Sequence, residues 1–106
     1  MEVLVEREKE RVTVPMTVVV DCASGMREVR LTDLSMGGCY VDCMAGVRPD
    51  ERVGLQITFS NGRTENITGK VVYVHDGIGF GVCFDELDLE QRYLIAQVIT
   101  EHGGSI

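Results

Sequence analysis

Apolar and polar residues alternate along most of the chain, which is the pattern of β-strands that bury one face. The first alternating run, residues 12–21, places its apolar residues on one side of an extended strand: Val12, Val14, Met16, Val18 and Val20. Further strand-like runs follow at 27–34, which also alternates, and at 39–43, 52–59, 64–75 and 78–84. About six short strands at this spacing predict an all-β domain, either a small barrel or a sandwich.

Turn-forming residues separate several of these runs. The pairs Asn-Gly at 61–62 and Asp-Gly at 76–77 are typical of tight hairpin turns. Pro15 has no backbone donor, so it indicates an edge position or an interruption of the first strand. Gly79 and Gly81 lie within the last strand, where we expect them to permit bending or close packing.

The last part of the chain follows a different period, that of an α-helix. Beyond residue 86 the apolar residues recur at helical spacing: Leu87, Leu94, Ile95 and Val98. Asp88 and Gln91 have the spacing of a capping box, and the pair Gly103-Gly104 is a stop signal. We therefore predict a C-terminal amphipathic helix over about residues 87–102, which covers an open end or side of the barrel.

Composition and charge narrow the class of protein. The 106 residues are enough for one domain, and 44% apolar residues are typical of a globular chain. No apolar run reaches the roughly 18 residues of a membrane span, and the first residues lack the apolar core of a secretory signal. We therefore expect a cytoplasmic protein without membrane insertion. Ten basic and seventeen acidic residues give a net charge of −7, which argues against general DNA binding. A small anion held by local arginines remains compatible with this charge.

Neither the cysteines nor the histidines form a recognisable reactive site. Cys22, Cys39, Cys43 and Cys83 contain no C-x-x-C pair, and the chain has two histidines, so a metal site is poorly supported. We interpret the cysteines as reduced thiols, some of them buried. The sequence offers no Ser/His/Asp set and no phosphate loop before a helix, so we predict that the protein is not an enzyme.

Arg7 and Arg11 stand four residues apart in a highly charged N-terminal segment, residues 1–11. This composition predicts a mobile arm. If the arm is extended, Arg7, Lys9 and Arg11 project from one side and glutamates from the other, so that the positive side can face an anion. The simpler alternative is a solvated charged segment with no ligand.

The second motif is Asp33-x-Ser35-x-x-Gly38, in the turn between two strands. Its simpler interpretation is a turn in which the side chains bond to their own backbone. Its functional interpretation is a corner that a ligand can approach closely, because Gly37 and Gly38 carry no side chains. We also expect these two glycines to supply the positive φ that the turn needs.

The two motifs in this order, followed by the strand "GIGFGVCF" and a closing helix, resemble the PilZ domain family. The resemblance extends from Glu6 to about Ile99. It implies a small six-stranded antiparallel β-barrel with a C-terminal helix, over residues 12–106, preceded by the arm at 1–11. It also implies that the domain binds the bacterial second messenger cyclic di-GMP without any cofactor or metal. On this resemblance the ligand-binding residues are Arg7, Arg11, Asp33, Ser35 and Gly38, with Gly37 beside them.

These residue types fit the chemistry of that ligand. A guanidinium can bond the O6 and N7 acceptors of guanine or a phosphate, and an ionised carboxylate suits the donors at N1 and N2. The leading hypothesis is a cyclic di-GMP receptor that orders its arm and signals to an unidentified partner protein, for example in motility or biofilm control. The alternative is a PilZ-type interaction scaffold that binds nucleotide weakly or not at all. An oligonucleotide-binding barrel is disfavoured by the acidic charge and the absence of tryptophan. Homodimer formation stays open.

Overall fold

The structure, a computed structural model, describes residues 11–44 and 46–104. Within them lie six strands and one helix: β1 (Val12–Cys22), β2 (Gly25–Ser35), β3 (Gly38–Asp42), β4 (Arg52–Thr58), β5 (Thr64–His75), β6 (Gly79–Phe84) and α1 (Leu89–Glu101). The strands close into an antiparallel barrel in the order β1-β2-β3-β6-β5-β4. The predicted six-stranded barrel with a C-terminal helix is confirmed, and closure removes the exposed sheet edges that an open sheet would present.

The barrel interior is the hydrophobic core. As the alternation predicts, every second residue of β1 is buried or partly buried, and β4 contributes Val53, Leu55 and Ile57. Phe80 of β6 is the largest of the fully buried side chains. Burial of such side chains is the main favourable contribution to folding.

Three β-bulges interrupt the regular pairing. They lie between Thr13 and Met16 in β1, between Leu31 and Asp33 in β2, and between Val71 and Tyr73 in β5. The β1 bulge contains Pro15, so the predicted interruption of this strand is confirmed. In β2 and β5 the extra residue reverses which of the following side chains face the core, whereas in β1 the alternation of buried residues continues through the bulge.

The helix covers the barrel with its apolar side, on which Leu94, Ile95, Val98 and Ile99 are buried. Asp88 and Gln91 form the predicted capping box, with the Asp88 carboxylate accepting from the Gln91 backbone N–H at 2.7 Å. The helix begins two residues later and ends one residue earlier than predicted. The residues that follow the helix lie beside the start of β1. A Cβ added to Gly104 would come within 2.7 Å of a side-chain carbon of Val12.

All four cysteines lie in the described residues and are unpaired. Cys22, Cys39 and Cys43 are buried in the core as small apolar groups, and Cys83 is exposed. Within residues 11–44 and 46–104, no helix combines the length and the apolar character that crossing a membrane requires.

Candidate ligand-binding groove

A groove of about 380 Å³ crosses the outer surface of the barrel beside the β2–β3 turn. We call it the groove; the residues that line it are Arg11, Ser35, Gly37, Gly38, Val72, Tyr73, Val82 and Cys83. They come from the residue before β1, the β2–β3 turn, β6 and the bulged part of β5. The β5 bulge therefore contributes directly to the groove, in keeping with the frequent occurrence of bulges next to functional sites.

Arg11 and Asp33 form a loose ion pair at one end of the groove. Arg11 stands two residues before Thr13, which is paired with Asp33 across β1 and β2. Its guanidinium nitrogen is 4.0 Å from the Asp33 carboxylate, and the two side chains are 54% and 39% exposed. Such a pair contributes about 0–1 kcal/mol. Arg11 can therefore exchange its partner for a ligand at little cost.

The β2 bulge explains why Asp33 is available at this surface. In strict alternation Asp33 would share the core-facing side of β2 with Leu31. The extra residue at Thr32 turns the strand so that Leu34 is buried instead, and Asp33 remains partly exposed. Asp33 does not itself line the groove; Arg11 connects it to the lining residues.

Ser35 is 4% exposed, and its hydroxyl is occupied within the turn. The hydroxyl oxygen accepts the Gly37 backbone N–H at 3.3 Å, and the hydroxyl lies 3.4 Å from the Gly38 carbonyl oxygen, to which it can donate. The simpler interpretation of the motif, a turn closed by its own side chain, therefore describes the Ser35 geometry. A ligand that bonds to this hydroxyl must replace one of these interactions.

The expectation that Gly37 and Gly38 supply positive φ is wrong. Neither residue is among the glycines of the described chain that adopt positive φ. The Ser35 hydroxyl closes this turn, so a left-handed backbone is not needed. Gly38 is instead required by packing, because a Cβ there would overlap the Val82 carbonyl oxygen of the paired strand β6. Gly37 also bonds to β6, since its carbonyl oxygen accepts the Phe84 N–H at 2.9 Å.

The sequence profile of the PilZ domain matches residues 6–101. The chain belongs to the PilZ domain family. No curated protein matches the chain.

Solved PilZ structures have the same fold at low sequence identity. The PilZ domain of CeSA from a cellulose-synthesizing bacterium is 19% identical with a TM-score of 0.69, and the match covers 87% of this chain and 96% of that one. The c-di-GMP-bound PilZ domain of YcgR from Escherichia coli is 16% identical with a TM-score of 0.70, over 91% and 90% of the two chains. Borreliella burgdorferi PlzA, solved in complex with c-di-GMP, is 18% identical with a TM-score of 0.67, and the match spans 89% of this chain but 42% of PlzA.

The PilZ fold of this chain brings most of the predicted site residues together. Arg11 and the turn residues Ser35, Gly37 and Gly38 line one groove, and Asp33 adjoins it through Arg11. Arg7 lies outside the described residues. The ligand-binding roles of all six residues stay predictions.

Four groove residues were not predicted from the sequence: Val72, Tyr73, Val82 and Cys83. The bulge in β5 exposes both Val72 and Tyr73, and strict alternation would have buried Tyr73 with Val71. The one usable signal in the sequence is the Gly-x-Gly spacing of β6, which leaves room for a large side chain on a neighbouring strand.

The buried thiol next to the β2–β3 turn is not a reactive group. Cys39, next to Gly38, is buried, and this burial raises the pKa of its thiol to about 12, with Arg11 lowering it and Asp33 raising it to a smaller extent. The thiol is therefore neutral and a poor nucleophile at neutral pH. Within the part of the chain that the structure describes, no group of three or more His, Cys, Asp or Glu side chains is placed to hold a metal ion.

Proposed function

We propose that this PilZ domain is a receptor for cyclic di-GMP and binds it in the groove. The observation that carries the proposal is the meeting of Arg11 with the Ser35–Gly38 turn around one groove, next to Asp33. Two of the related PilZ structures, YcgR and PlzA, are complexes with c-di-GMP, which supports this class of ligand. The groove volume of about 380 Å³ also falls in the usual range for small-molecule sites.

Each group has a partner on such a ligand. The Arg11 guanidinium can bond the O6 and N7 acceptors of a guanine or a phosphate oxygen. When Arg11 turns to the ligand, the Asp33 carboxylate is released to accept from guanine N1 and N2 donors. The chain carries a net charge of −7, so attraction to the doubly charged ligand must come from local arginines.

The proposal also gives a role to Arg7 and the rest of the N-terminal arm. Arg7 would bind the ligand together with Arg11, and binding would order residues 1–11 across the barrel. The ordered arm would then present a new surface to an unidentified partner protein in the cytoplasm, a non-enzymatic route for transmitting a signal. We expect hydrogen exchange of residues 2–11 to be slower at saturating ligand than without ligand. Equal exchange rates with and without ligand would contradict the ordering of the arm.

Calorimetric titration with cyclic di-GMP tests the binding site directly. We expect the native chain to bind, and Arg7→Ala, Arg11→Ala and Asp33→Ala each to bind about ten-fold more weakly or worse, because each loses charge-assisted hydrogen bonds. Arg27→Ala is the matched control. Arg27 is an exposed arginine near the β1–β2 turn, where it bonds to Ser24, and its loss changes the net charge by the same amount.

The outcomes separate the hypotheses. Equal heats from the native chain and all variants would place the site outside the groove. No heat from the native chain would reject the receptor hypothesis and favour the interaction-scaffold alternative. A loss of affinity in Arg27→Ala equal to that in Arg11→Ala would mean that overall charge, not the groove, determines binding.

A further inference from the structure

Three rings form a cluster on the outer surface of β3 and β5: Tyr40, Tyr73 and His75. Tyr73 has its ring centroid 6.1 Å from that of Tyr40, in a stacked arrangement, and 5.2 Å from that of His75. The Tyr40 hydroxyl is 3.1 Å from His75 Nδ1, within hydrogen-bond distance. These contacts with two neighbouring rings restrain the Tyr73 ring, which remains 39% exposed.

Strand β6 is shaped to accommodate the rings. It lies between β3 and β5, and it carries glycine under each tyrosine. A Cβ on Gly81 would come within 2.6 Å of the Tyr73 ring, and a Cβ on Gly79 within 2.9 Å of the Tyr40 ring. The rings therefore lie directly against the backbone of β6. The close packing predicted for these two glycines is confirmed.

The β5 bulge turns Tyr73 out of the barrel. Before the bulge Ile67 and Val71 face the core, and the same alternation would bury Tyr73. After the bulge Val74 is partly buried, and Tyr73 and His75 face outward. The bulge thus keeps the largest residue of this region on the surface, at the groove.

Among the described residues that line the groove, Tyr73 is the one with an aromatic side chain. The closed barrel separates β1 from β5 by β4 on one side; on the other side, which carries the groove, β2, β3 and β6 lie between Arg11, just before β1, and Tyr73 of β5. The groove therefore has a cationic end and an aromatic end, with the glycine-containing turn between them. An exposed ring fixed by its neighbours is suited to stacking on the face of a purine, because little conformational freedom is lost on binding.

We infer that Tyr73 is a base-stacking residue of the groove that takes one guanine face of the cyclic dinucleotide, and that His75 positions its ring. This inference rests on the proposed function. It assigns the aromatic end of the groove to a base and leaves the Arg11 end for the phosphates or the other guanine. Stacking depends on the ring of Tyr73 and not on its hydroxyl.

Titration of variants with cyclic di-GMP, followed by NMR of the ligand, tests this assignment. Stacking on a ring should shift the guanine H8 signal upfield in the complex with the native chain. We expect Tyr73→Phe to keep this shift and to bind within about two-fold of the native chain, and Tyr73→Leu to lose the shift and bind about ten-fold more weakly. Tyr93→Leu is the matched control, since Tyr93 is an exposed tyrosine on α1 that does not line the groove.

His75→Ala tests the positioning role. It removes the ring beside Tyr73 without changing the stacking residue, so we expect a reduced H8 shift and a smaller loss of affinity than in Tyr73→Leu. Thermal unfolding of each variant provides a check on folding, and all these side chains lie on the outer surface. An unchanged H8 shift in His75→Ala would reject the positioning role.

The result that overturns the inference differs from the one that overturns the receptor hypothesis. If the native chain and Tyr73→Leu bind cyclic di-GMP equally while Arg11→Ala binds weakly, the receptor hypothesis stands and the stacking role is rejected. If the native chain does not bind, both are rejected. Equal loss of affinity in Tyr73→Phe and Tyr73→Leu would also reject stacking, because it would assign the effect to the hydroxyl.

Discussion

The Ser35 hydroxyl bonds within its own turn, and Gly38 makes room for the neighbouring strand, so both residues serve the fold before any ligand arrives. The Asp33 carboxylate and the Arg11 guanidinium differ from them, because their 4.0 Å contact is loose and both are partly exposed. At this scale the motif residues fall into two groups. Arg11 and Asp33 can be changed to test binding, and changes at Ser35 or Gly38 also alter the turn.

Gly38→Ala should reduce the stability of the barrel. The added methyl group would overlap the Val82 carbonyl oxygen, so β3 and β6 must separate locally. We expect a loss of about 1–3 kcal/mol in the free energy of unfolding, measured by chemical denaturation. Gly54→Ala, in β4, is the control, because its Cβ would meet nothing closer than Asp21 Cβ at 3.8 Å. Equal stability of the two variants would contradict the packing role of Gly38.

At the scale of the elements, Asp85 connects three strands. It directly follows β6, forms an ion pair with Arg52 of β4, and accepts a hydrogen bond from the Thr68 hydroxyl of β5 at 2.6 Å. The Thr68 hydrogen bond, followed by Arg52, lowers the pKa of the Asp85 carboxyl below its ordinary value. The folded protein therefore favours the ionised carboxylate.

This shift predicts how stability depends on pH. A carboxylate whose pKa is lower in the folded state stabilises the protein above the unfolded pKa, about 3.9, and loses this contribution as the pH falls through the folded pKa. We therefore expect Asp85→Asn to be less stable than the native chain at neutral pH, and the difference to shrink below about pH 4. Denaturation at several pH values measures this difference. Asp76→Asn, in the exposed β5–β6 turn, is the control for the change in charge. A stability loss in Asp85→Asn that does not vary with pH would contradict the link between the lowered pKa of Asp85 and stability.

The elements also show what the sequence could and could not predict. The alternation of β1 and the Asp88 capping box are local patterns, so the strands and the helix were predictable. Pro15 indicated the interruption of β1, but the bulges of β2 and β5 were not predictable, since a bulge at Thr32 or Val72 depends on the partner strand and leaves no local signal. Strict alternation would place Asp33 and Tyr73 toward the core. The Asp33-x-Ser35-x-x-Gly38 motif predicted one end of the groove. The end at Tyr73 could be identified only from the pairing of β5 with β6.

At the scale of the whole molecule, the closed barrel holds the two ends of the groove at a fixed separation. Residues of β5 and β6 meet the β2–β3 turn and Arg11 only because β3 pairs with β6 and the sheet closes. The site is therefore a product of long-range pairing, and it should be lost together with the fold. This arrangement also places Cys83, the one exposed cysteine, in the wall of the groove.

Thiol labelling can therefore report the occupancy of the groove. In the folded protein we expect a disulfide reagent to react quickly with Cys83 and to reach the other three cysteines only after unfolding, because they are buried. Cyclic di-GMP at ten times its dissociation constant should slow the labelling of Cys83 by about ten-fold, since only the free protein exposes the thiol. Cys83→Ser should lack the fast reaction, and Arg11→Ala, which we expect to bind about ten-fold more weakly, should be slowed by about two-fold or less at the same ligand concentration. If calorimetry detects binding but saturating ligand leaves the Cys83 rate unchanged, the ligand occupies a different surface of the barrel.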